Sequence, residues 1–385
     1  MKPRVAVLIY SLAAGGAERV VSLLLPKLTK HYEVTLVLMN ETLFYPVPEN
    51  VEICYLERSR PDEPGWKKLC KLPLLAWRYR TLLQRRKIAL SLSLMTRPNY
   101  INILAKRLGS EARTLISERS HFSSQYADAS LSSRVNRFLV HLYDSADLIV
   151  SNSLGNRIDL QERFALSAPM ETIYNPVDLE AVGRCVTQEV EVLRRDPFVF
   201  VSVGRMDEGK NQRLLLEAIR EIDAELWLIG DGPLREELEH LSRVWGIADR
   251  VRFLGRRKNP FAYMARADAF VFASRHEGFP NVLIEALACE LPIISTDCPS
   301  GPREIFAPDS DPRQSADGVE YAEYGVLVPI DDRRRMREAM EVMMKNDTIR
   351  HDYVQKARRR AEDFSIKKIL PEWEEVLRRE LSRKP

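Results

Sequence analysis

One arrangement occurs twice in the chain and limits what it can fold into. "RVAVLIYSLAAGGAERVVSLLLPKL", from Arg4 to Leu28, reads as an apolar, β-branched strand, a small-residue turn with two glycines, and an amphipathic helix. "PFVFVSVGRMDEGKNQRLLLEAI", from Pro197 to Ile219, repeats that logic. A strand that is apolar at nearly every position needs a cover on both faces, and alternation with helices supplies it. "EVTLVLM", "VEICYL", "TLISE" and "DLIVSNS" continue the pattern in the first half, and "AELWLIGDGPLREEL", "VRFLG", "DAFVFAS" and "LPIISTD" in the second. Between them Asn175-Pro176, in "IYNPVDLEAV", breaks any regular element. The expectation is α/β: two doubly wound, Rossmann-like domains, residues 1–176 and 177–365, joined near 175–195 and facing a cleft.

Length and composition agree with two cores, since 385 residues are 45% hydrophobic. A net charge of +3 over 58 basic and 55 acidic side chains gives no global field for a nucleic acid, and none is expected as a partner. The five cysteines are dispersed with no CxxC pair, the usage of reduced thiols in a cytosol. The opening apolar run resembles a strand entering a glycine turn more than a signal peptide, and no stretch suits a membrane span. A soluble or peripheral protein is expected.

In doubly wound sheets ligands bind beyond the carboxyl ends of the strands, so the loops there carry the candidates. Gly15-Gly16 precedes a helix, where close backbone approach and free amides suit a phosphate; a plain structural turn is the alternative. The pattern is neither G-x-G-x-x-G nor a Walker loop, which argues against a dehydrogenase or P-loop NTPase. In "VGRMDEGKN", Arg205 and Lys210 follow a strand and precede a helix; singly each suits a solvated loop, but together they suit a diphosphate. "ASRHEGFPNVLIEAL" holds Glu277 and Glu285 on either side of a turn, with Pro280 expected in the first helical turn. Carboxylates do not attract phosphate, so sugar hydroxyls are their natural partners. In "TLISERSHFSS", Glu118, Arg119 and His121 follow a strand and are expected to face the cleft, where His121 is either structural or catalytic. Asp309-Ser-Asp311 lies in a polar loop rather than at a strand end, so no metal and no other cofactor is expected. Residues 66–87, "WKKLCKLPLLAWRYRTLLQRRK", carry eight cations, no acid and interleaved apolar side chains, with Pro73 dividing them. They suit an anionic membrane surface or a phosphate-bearing acceptor better than a helix with its basic face in water.

"GGAER", "VGRMDEGKN", "GDGPLREEL" and "EGFPNVLIE" resemble, in order and spacing, the retaining nucleotide-sugar glycosyltransferases of family 4, with the GT-B fold. More narrowly the chain resembles bacterial enzymes that extend polyprenyl-diphosphate-linked oligosaccharides with an N-acetylhexosamine. The resemblance implies a UDP-sugar co-substrate and a lipid-linked acceptor at the inner face of the cell membrane. Arg205 and Lys210 would hold the donor diphosphate, Glu285 the ribose and Glu277 the donor sugar. Backbone around Gly278, Phe279, Asn281 and Val282 would meet the distal phosphate, with Gly204 beside Arg205, while Gly15 and Gly16 approach from the first domain. Residues 366–385, with Pro371 and Trp373, would cross back to the first domain. By the same resemblance Arg205, Lys210 and Glu277 would be the catalytic set, and Glu118, Arg119 and His121 would meet the acceptor. One departure stands out: many members place a histidine where this chain has Arg119, with His121 two positions on, so that either His121 substitutes or Arg119 serves as a cation for acceptor phosphate. A GDP-mannose-dependent mannosyltransferase and an epimerase acting without acceptor are the alternatives.

Overall fold

The structure is a computed structural model that describes residues 2–59, 63–190 and 197–383. Seven strands of the first half are β1 (Arg4–Ile9), β2 (Glu33–Leu38), β3 (Glu52–Tyr55), β4 (Leu90–Leu94), β5 (Arg113–Glu118), β6 (Leu148–Ser151) and β7 (Met170–Thr172). They form one parallel sheet in the order β3-β2-β1-β4-β5-β6-β7. The second half supplies β8 (Val199–Val203), β9 (Glu225–Ile229), β10 (Val251–Gly255), β11 (Ala269–Phe272), β12 (Ile293–Thr296), β13 (Glu320–Tyr321) and β14 (Val326–Val328). Their order is β10-β9-β8-β11-β12-β14-β13, parallel except that β13 runs against β14.

The central strands of both sheets are buried on two faces and mostly apolar: the side chains of β1 after Arg4 and all of β9 are buried, while the edge strands β3, β7 and β10 are only partly so. Helix faces complete each core: Leu75, Tyr79 and Ile101 in the first unit, Leu215, Met336 and Met340 in the second. Chain order reverses on either side of β1 in the first sheet and of β8 in the second. Crevices open at such reversals, between β1 and β4 and between β8 and β11.

One compact unit comprises Met1–Pro176 with Lys367–Pro385, the other Val177–Ile366. The helix Ile366–Ser382 belongs mostly to the first unit, where Trp373 is fully buried and Glu380 accepts from Arg113 Nη2 at 2.6 Å. In the second unit, the Val177 amide donates to Phe364 and the Ile366 amide to Val177, at 2.7 and 3.0 Å.

The basic stretch divides at Lys71 into helices Gly65–Cys70 and Leu72–Arg85, with Pro73 in the first turn of the second. Its apolar side chains do not form one face. Leu72, Leu75, Ala76, Tyr79 and Leu83 are buried in the core, whereas Trp66, Leu74 and Trp77 are exposed. Nor are all its cations free: Lys71 pairs with Glu57 and Glu63, and Arg86 with Glu52. The amphipathic reading of residues 66–87 is therefore corrected to its outward half. Among the described residues no helix is long and apolar enough to cross a membrane.

Candidate functional site

The candidate residues of the second unit gather at its chain reversal. β8 ends at Val203, and the Gly204 amide donates to the Ile229 carbonyl at 3.0 Å. A Cβ on Gly230, whose φ is +141°, would stand 1.9 Å from the Gly204 carbonyl oxygen, so only glycine lets the ends of β8 and β9 meet. The loop then tightens: Asp207 accepts from the Lys210 amide at 3.0 Å, and Asn211, at φ +50°, leads into the helix Gln212–Ile219.

From that loop the Lys210 ammonium reaches across to the Glu277 carboxylate beyond β11. Lys210 Nζ also lies 5.7 Å from the centre of the Phe272 ring. Burial by itself lowers the affinity of Lys210 for its proton, but Glu277 more than offsets this and the pKa stands above the ordinary lysine value. Cys298, fully buried beside the pair, has its thiol raised well above the usual range by burial and then by Glu277. Arg205 differs in kind. Its side chain is 68% exposed and its Nε lies 3.6 Å from Asp207, leaving the guanidinium accessible to an anion.

The turn after Glu277 is braced from behind. Ser300 donates its hydroxyl to the Gly278 carbonyl, and a Cβ on Gly301, at φ +101°, would lie 2.3 Å from Pro280 Cδ. The Phe279 ring packs 5.3 Å from that of Phe364, over which Arg360 sits while donating to the Ile305 and Glu304 carbonyls. Pro280 stands one residue earlier than expected, as the extended cap of the helix Asn281–Ala288. Asn281 and Val282 form its first turn, half-buried, and Glu285 is half-buried one turn on. The charge of Glu285 supplements burial in raising the Cys289 thiol to about 12. Ser300, Gly301, Phe364 and Cys298 escaped the sequence reading. The Pro-Ser-Gly-Pro run after β12 was the visible signal of a tight loop there.

In the first unit, Gly15 is the extended cap of the helix Gly16–His31. The Glu18 carboxylate folds back over it, with Oε2 only 2.2 Å from where a Gly15 Cβ would be. Burial raises the Glu18 pKa, against the pull of its own backbone amide and of Arg119. The helix start thus already faces a carboxylate.

Glu118, expected to face a cleft, is instead buried. It is 1% exposed, and its oxygens accept from Tyr143, the Arg119 amide, Ser120 and Thr96 at 2.6, 2.9, 2.9 and 3.3 Å. A buried polar group must satisfy itself internally, and this one does. The structure thus buries Glu118 under internal hydrogen bonds instead of presenting it at the surface for an acceptor. Arg119 donates to Asn175 and, at 3.3 Å, to Ser117, and burial lowers its pKa to about 10. His121 caps a short helix, with Nδ1 2.8 Å from Ser124 Oγ and Nε2 3.8 Å from Asp159. Among the described residues no three His, Cys, Asp or Glu side chains gather as a metal site would need.

The comparisons with known proteins agree with this architecture. Residues 14–181 match the family described as Glycosyltransferase Family 4, and residues 197–346 that described as Glycosyl transferases group 1. A Campylobacter jejuni N-acetylgalactosamine-N,N'-diacetylbacillosaminyl-diphospho-undecaprenol 4-alpha-N-acetylgalactosaminyltransferase is 40% identical over 95% of this chain and 97% of its own. A second Campylobacter jejuni enzyme, an alpha-1,4-N-acetyl-D-galactosaminyltransferase acting on a GalNAc-extended diNAcBac-PP-undecaprenol, is 28% identical over 96% and 97%. Among solved structures, sucrose-phosphate synthase of Thermosynechococcus elongatus superposes with a TM-score of 0.80 at 19% identity, covering 98% of both chains. Anabaena HepE in complex with UDP gives 0.74 at 18% identity, covering 98% of this chain and all of the other. At such identities the structures speak for the fold, GT-B, while the sequence match over nearly the full chain speaks for the family. The chain belongs to glycosyltransferase family 4.

Proposed function

We propose that the protein transfers a hexose or N-acetylhexosamine from a UDP-sugar to a polyprenyl-diphosphate-linked saccharide, with retention of anomeric configuration and without a metal. The observation that carries the donor side is the Lys210–Glu277 pair at the reversal between β8 and β11, beside the start of the helix Asn281–Ala288. A cation, a carboxylate and a helix start meeting in one crevice suit a ligand that is part diphosphate and part sugar. Arg205 and Lys210 take the diphosphate, Glu277 the sugar hydroxyls and Glu285 the ribose. The turn from Gly278 to Val282 offers backbone to the distal phosphate. The acceptor class rests on the two undecaprenol-linked relatives, and UDP on the nucleotide in the HepE complex.

In the reaction the bond from the sugar's anomeric carbon to the diphosphate oxygen breaks, and a bond to the acceptor hydroxyl oxygen forms on the same face. The hydroxyl proton passes to the departing phosphate, and UDP leaves. Charge grows on the diphosphate as it departs, and the two cations meet it already oriented, which is where preorganised electrostatics lowers a barrier most. An acceptor held in a bilayer places the enzyme at the membrane surface, on its cytoplasmic face where nucleotide-sugars are. Titration with UDP in a calorimeter tests the donor seat: the protein binds UDP, and Lys210→Ala or Arg205→Ala weakens binding by about tenfold or more. Unchanged affinity in both variants contradicts the assignment.

A further inference from the structure

Five exposed large apolar side chains, two of them the most exposed among the described residues, lie on neighbouring helices of the first unit, and only some belong to the basic stretch. Phe138 and Leu131 are 77% and 73% exposed, on the helix Leu131–Leu139; Trp66, Trp77 and Leu74 are 62%, 55% and 50% exposed, on the Gly65–Cys70 and Leu72–Arg85 helices. These helices are neighbours. A Cβ on Gly65 would stand 3.3 Å from Ser132 Oγ. The Leu72–Arg85 helix packs on the helix Thr96–Arg107, whose Tyr100 hydroxyl donates to the Asn136 carbonyl at 3.2 Å. One buried helix therefore carries the basic helix and the 131–139 helix together.

Charge follows the same layer. None of the three outer helices contains Asp or Glu. Lys67, Arg78, Arg85, Arg134 and Arg137 form no ion pair among the described residues, unlike Lys71 and Arg86 at the inner edge of the same layer. Asp128, just ahead of the third helix, is turned onto Ser130 at 2.8 Å. Exposed aromatic and aliphatic tips among unpaired cations match an interface that is apolar inside and anionic at its rim. A second copy meeting this face about a two-fold axis would set its cations against the same cations, which disfavours self-association.

We propose that the 65–85 helices and the 131–139 helix form one lipid-contacting surface. Trp66, Leu74, Trp77, Leu131 and Phe138 enter the headgroup layer of an anionic bilayer, while the five unpaired cations meet lipid phosphates. The idea rests on the reading of the acceptor as lipid-linked, and it adds an arm outside the basic stretch, one that composition alone did not mark. The shorter arm supplies apolar depth and the longer one most of the charge.

The test is co-sedimentation of the full chain with vesicles of phosphatidylcholine alone or mixed with phosphatidylglycerol, at low and high salt. The paired variant Leu131→Ser with Phe138→Ser is expected to lower the partition into mixed vesicles by about tenfold, with salt dependence retained. Lys67→Gln, Arg78→Gln and Arg85→Gln together are expected to remove most of the salt dependence, and Val244→Ser, on the other unit, to change nothing. Wild-type partition by the 131/138 variant overturns the proposal, as does sedimentation velocity showing a dimeric wild-type protein and a monomeric variant. Transfer to a water-soluble, short-chain acceptor is measured alongside. Its retention in the 131/138 variant separates loss of lipid contact from misfolding. Its absence in the wild-type protein strikes the functional reading while the vesicle result still decides this one.

Discussion

Removing the Lys210 ammonium leaves the Glu277 carboxylate, whose side chain is 12% exposed, beside the Cys298 thiol without its counter-charge. Lys210→Met is therefore expected to cost about 1–3 kcal/mol of stability in addition to donor binding. Arg205→Ala, at an exposed position, is expected to weaken donor binding yet shift stability by no more than about 0.5 kcal/mol. Denaturant unfolding of the two variants checks the contrast, and equal losses would contradict it. Glu118 offers a pH test. Burial raises its pKa above 4.5, so the folded state holds the proton more tightly than the unfolded one. Its contribution to stability is greatest below 4.5 and falls as pH rises from there through the folded value. Glu118→Gln should flatten that fall in denaturant titrations relative to wild type; an identical pH slope speaks against it. That Lys210 and Glu277 belong together was legible because both follow strand ends, which in this fold class gather at one crevice. Glu118 misled for the same reason: it too ends a strand, but its partner Tyr143 lies 25 residues on and nothing local announces it.

Among elements, the turn from Gly278 to Asn281 depends on a loop that touches no proposed ligand. Gly301→Ala adds a Cβ at φ +101° and 2.3 Å from Pro280 Cδ. About 1–3 kcal/mol of strain is expected, with weakened UDP binding because the turn must move. Calorimetry with UDP reads both; full affinity in a correctly folded variant shows that the brace is dispensable. Ten of the fourteen described strands and the helix starts near residues 16, 212 and 281 were visible in the sequence, since apolar runs and glycine turns are local signals; β4, whose serines alternate with leucines, and the short β7, β13 and β14 were not. The brace was not, because Ser300 and Gly301 meet Gly278 and Pro280 only after β12 has paired with β11. The basic helices show the same limit. Composition revealed a stretch without acid and a break near Pro73, which falls at Lys71 with the proline in the next helix's first turn, but which apolar side chains turn inward depends on the helix beneath. The acids that pair with Lys71 and Arg86 come from residues 52, 57 and 63.

At the scale of the molecule, the last helix makes the first unit depend on the far end of the chain. Trp373 is fully buried there, and Trp373→Ala is expected to cost about 3–5 kcal/mol. Scanning calorimetry should show the loss in the transition of the first unit, whereas UDP should raise that of the second by mass action. A UDP-induced rise confined to the first unit would place the donor seat wrongly. Transfer itself is the central claim. The purified chain is incubated with UDP-, GDP- and ADP-sugars and a short-chain polyprenyl-diphosphate saccharide, and products are weighed by mass spectrometry. The account predicts an acceptor heavier by whole hexose or N-acetylhexosamine units with a UDP-sugar, equally with chelator present, and no product from Lys210→Ala. Sugar nucleotide consumed with no gain in acceptor mass, or gain only with a GDP- or ADP-sugar, would contradict it.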